Sequence, residues 1–236
     1  MAIIKPKLLA KTLRKQRRMR RSSEFVKRYP FAMLLAVQLL SIVFYGFMTD
    51  SKTSHLVFNC LGLIVPILAV WTVYRTPAIN WLAFVLVALS IGATVLANFY
   101  ILPSMLAWAH AFESLLYFYA AAGLTMYMFE DNTVTIDELY AAAATFTLLV
   151  WAFALAYSVC QQVYPGSVLA ALNPNNPRSW IELLFMSFSN QSSTGVGDVI
   201  PISGPARAIG SLQIFTGVMY IAIVVSRLVG LAASKK

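Results

Sequence analysis

Apolar runs recur along the chain, each broken by a short polar or proline-bearing stretch. Residues 30–48, 57–74, 81–97, 105–129 and 206–231 are such runs, and a fifth in chain order fills residues 140–163. Each is long enough to read as a helix crossing a hydrocarbon core of about 30 Å. The breaks are Asp50, Lys52 and His55, then Arg75-Thr76-Pro77, then residues 98–103, then Glu130-Asp131-Asn132-Thr133. Pro66 predicts a kink in the second run. Thr135 followed by Glu138 predicts a capped start for the fifth helix. Threaded in order, these six spans place both termini on the same side of the membrane.

Residues 180–201 break the pattern. Trp180, Leu183, Leu184 and Phe188 recur at helical spacing. The chain then turns polar through Ser189, Asn190, Gln191, Ser192, Ser193 and Thr194, and continues as Gly195-Val196-Gly197-Asp198. The helical part covers about 11 residues, roughly 17 Å at 1.5 Å per residue. It is too short to cross and must dip in and return as an extended strand. Backbone of that kind survives at membrane depth only when buried in protein or lining a watery path. Gly195 and Gly197 permit alternating backbone signs, so successive carbonyls point the same way. Such a file of carbonyls can replace the hydration shell of a monovalent cation. The short helix would present its negative dipole end to the ion path. A single strand makes no ring, so several copies are required.

Composition agrees with a multi-pass membrane protein: 59% of the 236 residues are hydrophobic and the mean hydropathy is +0.72. The net charge of +9 is concentrated at one end, with eleven of the 18 Lys and Arg between Lys5 and Arg28. This arm is too long and too charged for a signal-peptide start. It predicts a cytoplasmic N-terminus, which leaves only Lys52, Arg178 and Arg207 outside. It also fits adhesion to anionic lipid headgroups. No folded basic domain accompanies it, so nucleic acid is not expected as a partner.

Residues 193–198, S-T-G-V-G-D, resemble the potassium-channel signature T-V-G-Y-G-D. Phe185-Met186-Ser187-Phe188 stands where many bacterial channels carry Y-F-S-F, and Val199-Ile200-Pro201 resembles their I-x-P. The last run, with Gly217, Tyr220, Arg227 and Gly230, resembles the inner helix, and Thr135 to Tyr140 the start of the outer helix. The resemblance covers residues 133–232. It implies an all-α membrane protein with a pore helix and filter between the fifth and sixth helices, assembled as a homotetramer in the bacterial inner membrane. It also implies an ion site at Ser193, Thr194, Gly195, Val196 and Gly197, supported by Ser189, Asn190 and Asp198, with a gate and hinge at Gly217, Ile221 and Val225. Permeant potassium is the only ion implied, and no cofactor or further metal. The departures are Ser193 for threonine, Thr194 for valine and Val196 for tyrosine. Phe185 and Met186 occupy the positions of the aromatic brace, which is therefore lost, and Ser189 that of the usual carboxylate or valine behind the filter. Conduction carries over; strict selectivity for potassium over sodium does not.

The resulting domains are a basic arm (1–29), a four-helix unit (30–132), a pore domain (133–232) and a short tail (233–236). The fourth span holds no Lys or Arg between 101 and 129, so it is no conventional voltage sensor. His110 and Glu113 share one face of that span. They either sense protons or form a buried pair that fixes helix packing. Cys60 and Cys160 have no metal or disulfide spacing and read as structural thiols. Gly217 is either a bend point or a site of close helix packing. The rival functions are a weakly selective cation channel of the same fold and a secondary transporter with one broken helix. Transporters usually carry two such breaks in related halves, and this chain has one. Catalytic acids, histidines or nucleophiles do not gather at a common depth, so no enzyme is expected.

Overall fold

The computed structural model describes residues 29–47, 64–100, 103–130, 135–174 and 176–233. The basic arm, the loop at 50–55, Cys60, the first part of the second apolar run and most of the break at 130–133 lie outside them.

The chain is mostly helical. In order come α1 (Pro30–Phe47), α2 (Ile64–Val73), α3 (Asn80–Tyr100), α4 (Pro103–Met128) and α5 (Ile136–Val163). A short strand β1 (Val168–Ala170) precedes the pore-helix candidate α6 (Trp180–Gln191). Then follow β2 (Val199–Pro201), α7 (Gly204–Tyr220), a π-helical segment (Ile221–Val225) and α8 (Ser226–Ala233). Four of the described helices are long and apolar enough to cross a membrane: Pro30–Phe47, Asn80–Ala97, Ile136–Val163 and the continuous run Gly204–Gly230. α4 is 26 residues long but more polar, and the described part of the second run is the short helix α2.

The centre of the fold is α5, which packs against α1, α4, α6 and α7. Its apolar residues surround the helix instead of forming one stripe, the pattern of a helix enclosed by others. Ala144, Leu148, Val150, Ala152 and Ala154 are all fully buried. Thr135 caps it as expected, its hydroxyl accepting from the Glu138 N–H at 3.2 Å. On α1 the buried positions Pro30, Phe31, Leu34, Gln38, Ser41 and Tyr45 recur at three and four residues and form the face against α5. Tyr45, Trp151 and Trp180 then meet edge to face or tilted, tying α1 and α5 to the first turn of α6.

Two features depart from the expected all-helical layout. β1 and β2 pair antiparallel, with Val168 opposite Pro201 and Ala170 opposite Val199. The second is the π-helical interruption of the last span. Neither has an apolar periodicity of its own, because one strand is three residues long and the other element differs by a single hydrogen-bond register.

Candidate functional site: α6 and the strand that follows it

The site is built on α6. Ser179 caps this helix in a full capping box: its hydroxyl accepts from the Glu182 N–H, and the Glu182 carboxylate accepts from the Ser179 N–H at 2.7 Å. Arg178, only 4% exposed, organises the preceding loop. Its guanidinium donates to the carbonyls of Leu172 (3.2 Å), Asn173 (2.6 Å) and Asn176, and pairs with Glu182 at 3.3 Å. Its backbone exchanges two hydrogen bonds with the Gln161 side chain at the end of α5. In the sequence Arg178 registers only as an outside charge. Its role depends on three loop carbonyls that no spacing rule places together.

The other end of α6 leads into the candidate strand. Ser192 is the C-cap. Ser193 N–H donates to the Asn190 carbonyl and Thr194 N–H to the Ser189 carbonyl, both at 3.1 Å. This is a Schellman closure, and it requires a left-handed residue just past the cap. Ser193 supplies it with φ 56°. The chain continues with φ 66° at Gly195 and 150° at Gly197, while Thr194 and Val196 are not in the left-handed region. The backbone sign thus alternates over residues 193–197, the arrangement expected from the glycines and extended by one residue to a serine.

All of residues 193–198 are exposed in the single chain, Val196 by 62%. Behind the strand lies a cleft of about 320 Å³ bordered by Ile42, Phe185, Phe188 and Asp198. Phe185 is the aromatic that reaches the strand: a Cβ on Gly197 would sit 3.4 Å from its Cε1. Met186 is buried in a different direction, in the cluster of Phe153, Tyr157, Leu183 and Val199. The strand leaves the site directly into β2. Asp198 contributes through its carbonyl, which accepts from the Ala171 N–H at 3.2 Å. Ile202 N–H donates to the Ser167 carbonyl at the other end of the ladder. The end of the strand is therefore fixed by a hairpin-like pair as well as by its own turns.

Three of the polar residues 189–192 make hydrogen bonds to the strand or to neighbouring helices. Ser189 accepts from Thr194. Ser192 Oγ donates to the Phe188 carbonyl at 2.7 Å and lies 3.1 Å from Thr194 Oγ1. Asn190 Nδ2 donates to Tyr157 Oη at 3.0 Å. Gln191 is fully buried, and neither polar atom of its amide has a hydrogen-bond partner among the described residues. Asn190 opens onto a chain of bonds that the sequence does not reveal. Tyr157 Oη donates to Gln213 Oε1 (3.0 Å), Gln213 Nε2 donates to the Ser187 carbonyl (3.0 Å), and Ser187 Oγ donates to the Val150 carbonyl (2.7 Å). Tyr157, Ser187 and Gln213 are all fully buried. The chain joins α5, α6 and α7, and its members lie on three separate runs where each alone reads as an isolated polar residue.

Gly217 faces the end of α6. A Cβ there would lie 2.0 Å from the Gln191 carbonyl oxygen, so close approach alone requires glycine at this position. Ile221 and Val225 bound the π-helical segment and are 43% and 46% exposed. His110 and Glu113 do not bond to each other in a pair. His110 Nδ1 lies 3.0 Å from both Ser158 Oγ and Gln162 Nε2 on α5, and Glu113 accepts from Tyr117 Oη at 2.6 Å. Cys160 is buried and free. No group of three or more His, Cys, Asp or Glu suited to a metal forms among the described residues.

Neither a curated protein nor a solved structure matches the chain. A family model described as ion channel does match, over residues 145–233. That segment runs from within α5 to the end of α8 and contains all of α6 and residues 192–201. This part of the chain is ion-channel-like, and with the long apolar helices it supports a multi-pass membrane channel in place of an enzyme.

Proposed function

We propose that the protein is a homotetrameric cation channel that conducts potassium through rings of oxygens from residues 193–197, with the inner helices α7 and α8 lining the path below. The observation that carries this reading is the alternating backbone sign at Ser193, Gly195 and Gly197 in an exposed strand that begins at the C-terminal end of a buried short helix. One copy leaves those oxygens facing open space; four copies around an axis would close them into coordination rings. The layout we infer is six spans with both termini cytoplasmic, the basic arm lying against anionic headgroups.

Selectivity for potassium over sodium is expected to be reduced. A filter discriminates through cavity size or through the number and field of its oxygens, and both need support from behind. Val196 has no hydroxyl to reach α6, and the cleft behind it is bordered mainly by apolar side chains. Support comes from the Asn190–Tyr157–Gln213 chain at the inner side and from the β1–β2 pair at the outer side, which leaves the middle of the strand the least braced. Protein in liposomes should carry rubidium or potassium flux, and reversal potentials under bi-ionic potassium and sodium should show potassium preferred by less than about a hundredfold, which is roughly 2.7 kcal/mol of differential stabilisation. Anion-selective flux, or an intact tetramer with no flux, would refute the channel. Near-complete exclusion of sodium would refute the reduced selectivity alone.

A further inference from the structure

The end of α4 raises a hydrogen-bond question that the structure answers from far along the chain. The last carbonyls of a helix have no intrahelical partner. Here the Thr125 and Met126 carbonyls accept from the Phe129 N–H and the Tyr127 carbonyl accepts from the Glu130 N–H. The Met128 carbonyl accepts from Arg227 Nη1, donated by α8, 99 residues later. The same guanidinium lies 4.6 Å from the centroid of the Phe129 ring. α4 has no basic residue in its own last turn, so the cation at its negative dipole end is supplied by the inner helix. Val224 and Leu228, on the same side of the inner helix, are buried in one cluster with Leu124 and Met128.

This clasp sits just beyond the π-helical segment. Just before that segment, Tyr220 Oη donates to the Ala142 carbonyl of α5 at 2.5 Å. The inner helix is thus pinned on both sides of Ile221–Val225, to the pore domain above and to the four-helix unit below. A π-helical turn inside an α-helix is a register defect and a place where a helix can bend or rotate. We propose that Arg227 is a positioning residue for the gate: it grips the end of α4, so that a displacement of the four-helix unit turns or bends the inner helix at the π-helical segment. This rests on the channel reading above, and it gives the first four helices a route to the pore besides the peptide connection.

The test uses the full chain in lipid bilayers with four proteins: wild type, Arg227→Lys, Arg227→Gln and Phe129→Leu, together with the Phe129→Leu/Arg227→Gln double variant. Arg227→Gln should change open probability by about tenfold or more, the scale of one charge-assisted hydrogen bond, with single-channel conductance and the potassium-to-sodium ratio unchanged. Arg227→Lys, which keeps a donor and a charge, should recover part of the change, and Phe129→Leu should be non-additive with Arg227→Gln. Hydrogen exchange on the same samples should rise in residues 221–233 and at the end of α4. Wild-type open probability in Arg227→Gln, additivity with Phe129→Leu, or altered selectivity would overturn the gate role. Unchanged exchange would overturn the clasp itself. Wild-type protein that does not conduct would refute the channel reading and the gate with it, while the exchange data would still decide whether the clasp exists.

Discussion

Ser193 shows how one backbone angle changes the meaning of a substitution. In the resemblance to potassium channels its position belongs to threonine, and serine looks like a weakened copy. With φ 56° at the left-handed closure of α6, a β-branched side chain is the poorer choice, because two heavy atoms on Cβ crowd the backbone there. Ser193→Thr should therefore lower stability by about 1–3 kcal/mol, and Ser193→Gly should preserve it; thermal melting in nanodiscs would measure both. A threonine variant as stable as wild type would mean that the turn is not left-handed in the assembled protein. Gly217 makes a parallel case for space. Its missing Cβ is what lets α7 approach the Gln191 carbonyl, and the clash is with backbone, which no rotamer can relieve. Gly217→Ala should cost about 1–3 kcal/mol as a small-to-large change at a packed contact. If it altered gating with melting unchanged, Gly217 would be a bend point and not a packing contact.

At the scale of elements, apolar patterning gave α1, α3, α4, α5 and the last span to within a few residues, because each owes its existence to length and burial that the pattern encodes directly. It also placed α6, which the structure starts at Trp180 and ends at Gln191. What it missed depends on partners distant in sequence. The β1–β2 pair joins residues some thirty positions apart, Arg178 gathers loop carbonyls, and the Tyr157–Gln213–Ser187 chain crosses three helices. Sequence spacing carries no signal for any of these. The Ser179–Glu182 capping box was legible by the same rule that identified Thr135 and Glu138. The residue types alone predict that the aromatic brace is lost, and the structure treats its two positions differently: Phe185 lies against Gly197 and Met186 is buried elsewhere. The buried chain yields its own prediction. Tyr157→Phe removes the oxygen that accepts from Asn190 and donates to Gln213, leaving two polar groups unpaired in the interior. It should cost about 1–3 kcal/mol and reduce the potassium-to-sodium ratio measured by reversal potential. An unchanged melting point and ratio would show that the chain does not brace the filter.

For the whole molecule, the question is what the first four helices contribute to a channel whose family match covers residues 145–233. Steep voltage dependence comes from roughly 3–4 charges per subunit moving through the field, each worth about 2.3 kcal/mol per 100 mV. α4 carries no Lys or Arg; its His110 and Glu113 are held by Ser158, Gln162 and Tyr117. The His110 contacts and Ser114 Oγ, which donates to the Ala152 carbonyl at 2.8 Å, tie α4 to α5 and oppose sliding of that helix, while the Tyr117–Glu113 bond lies within α4. Even one charge per subunit crossing the full field would supply no more than about a third of what a steep sensor uses. Recordings in symmetric salt should therefore show open probability changing gradually through zero voltage, with a slope equivalent to no more than about four elementary charges per tetramer. A slope equivalent to ten or more would mean that charges outside the described residues move with the gate, the basic arm at 5–28 being the place in the sequence that holds them.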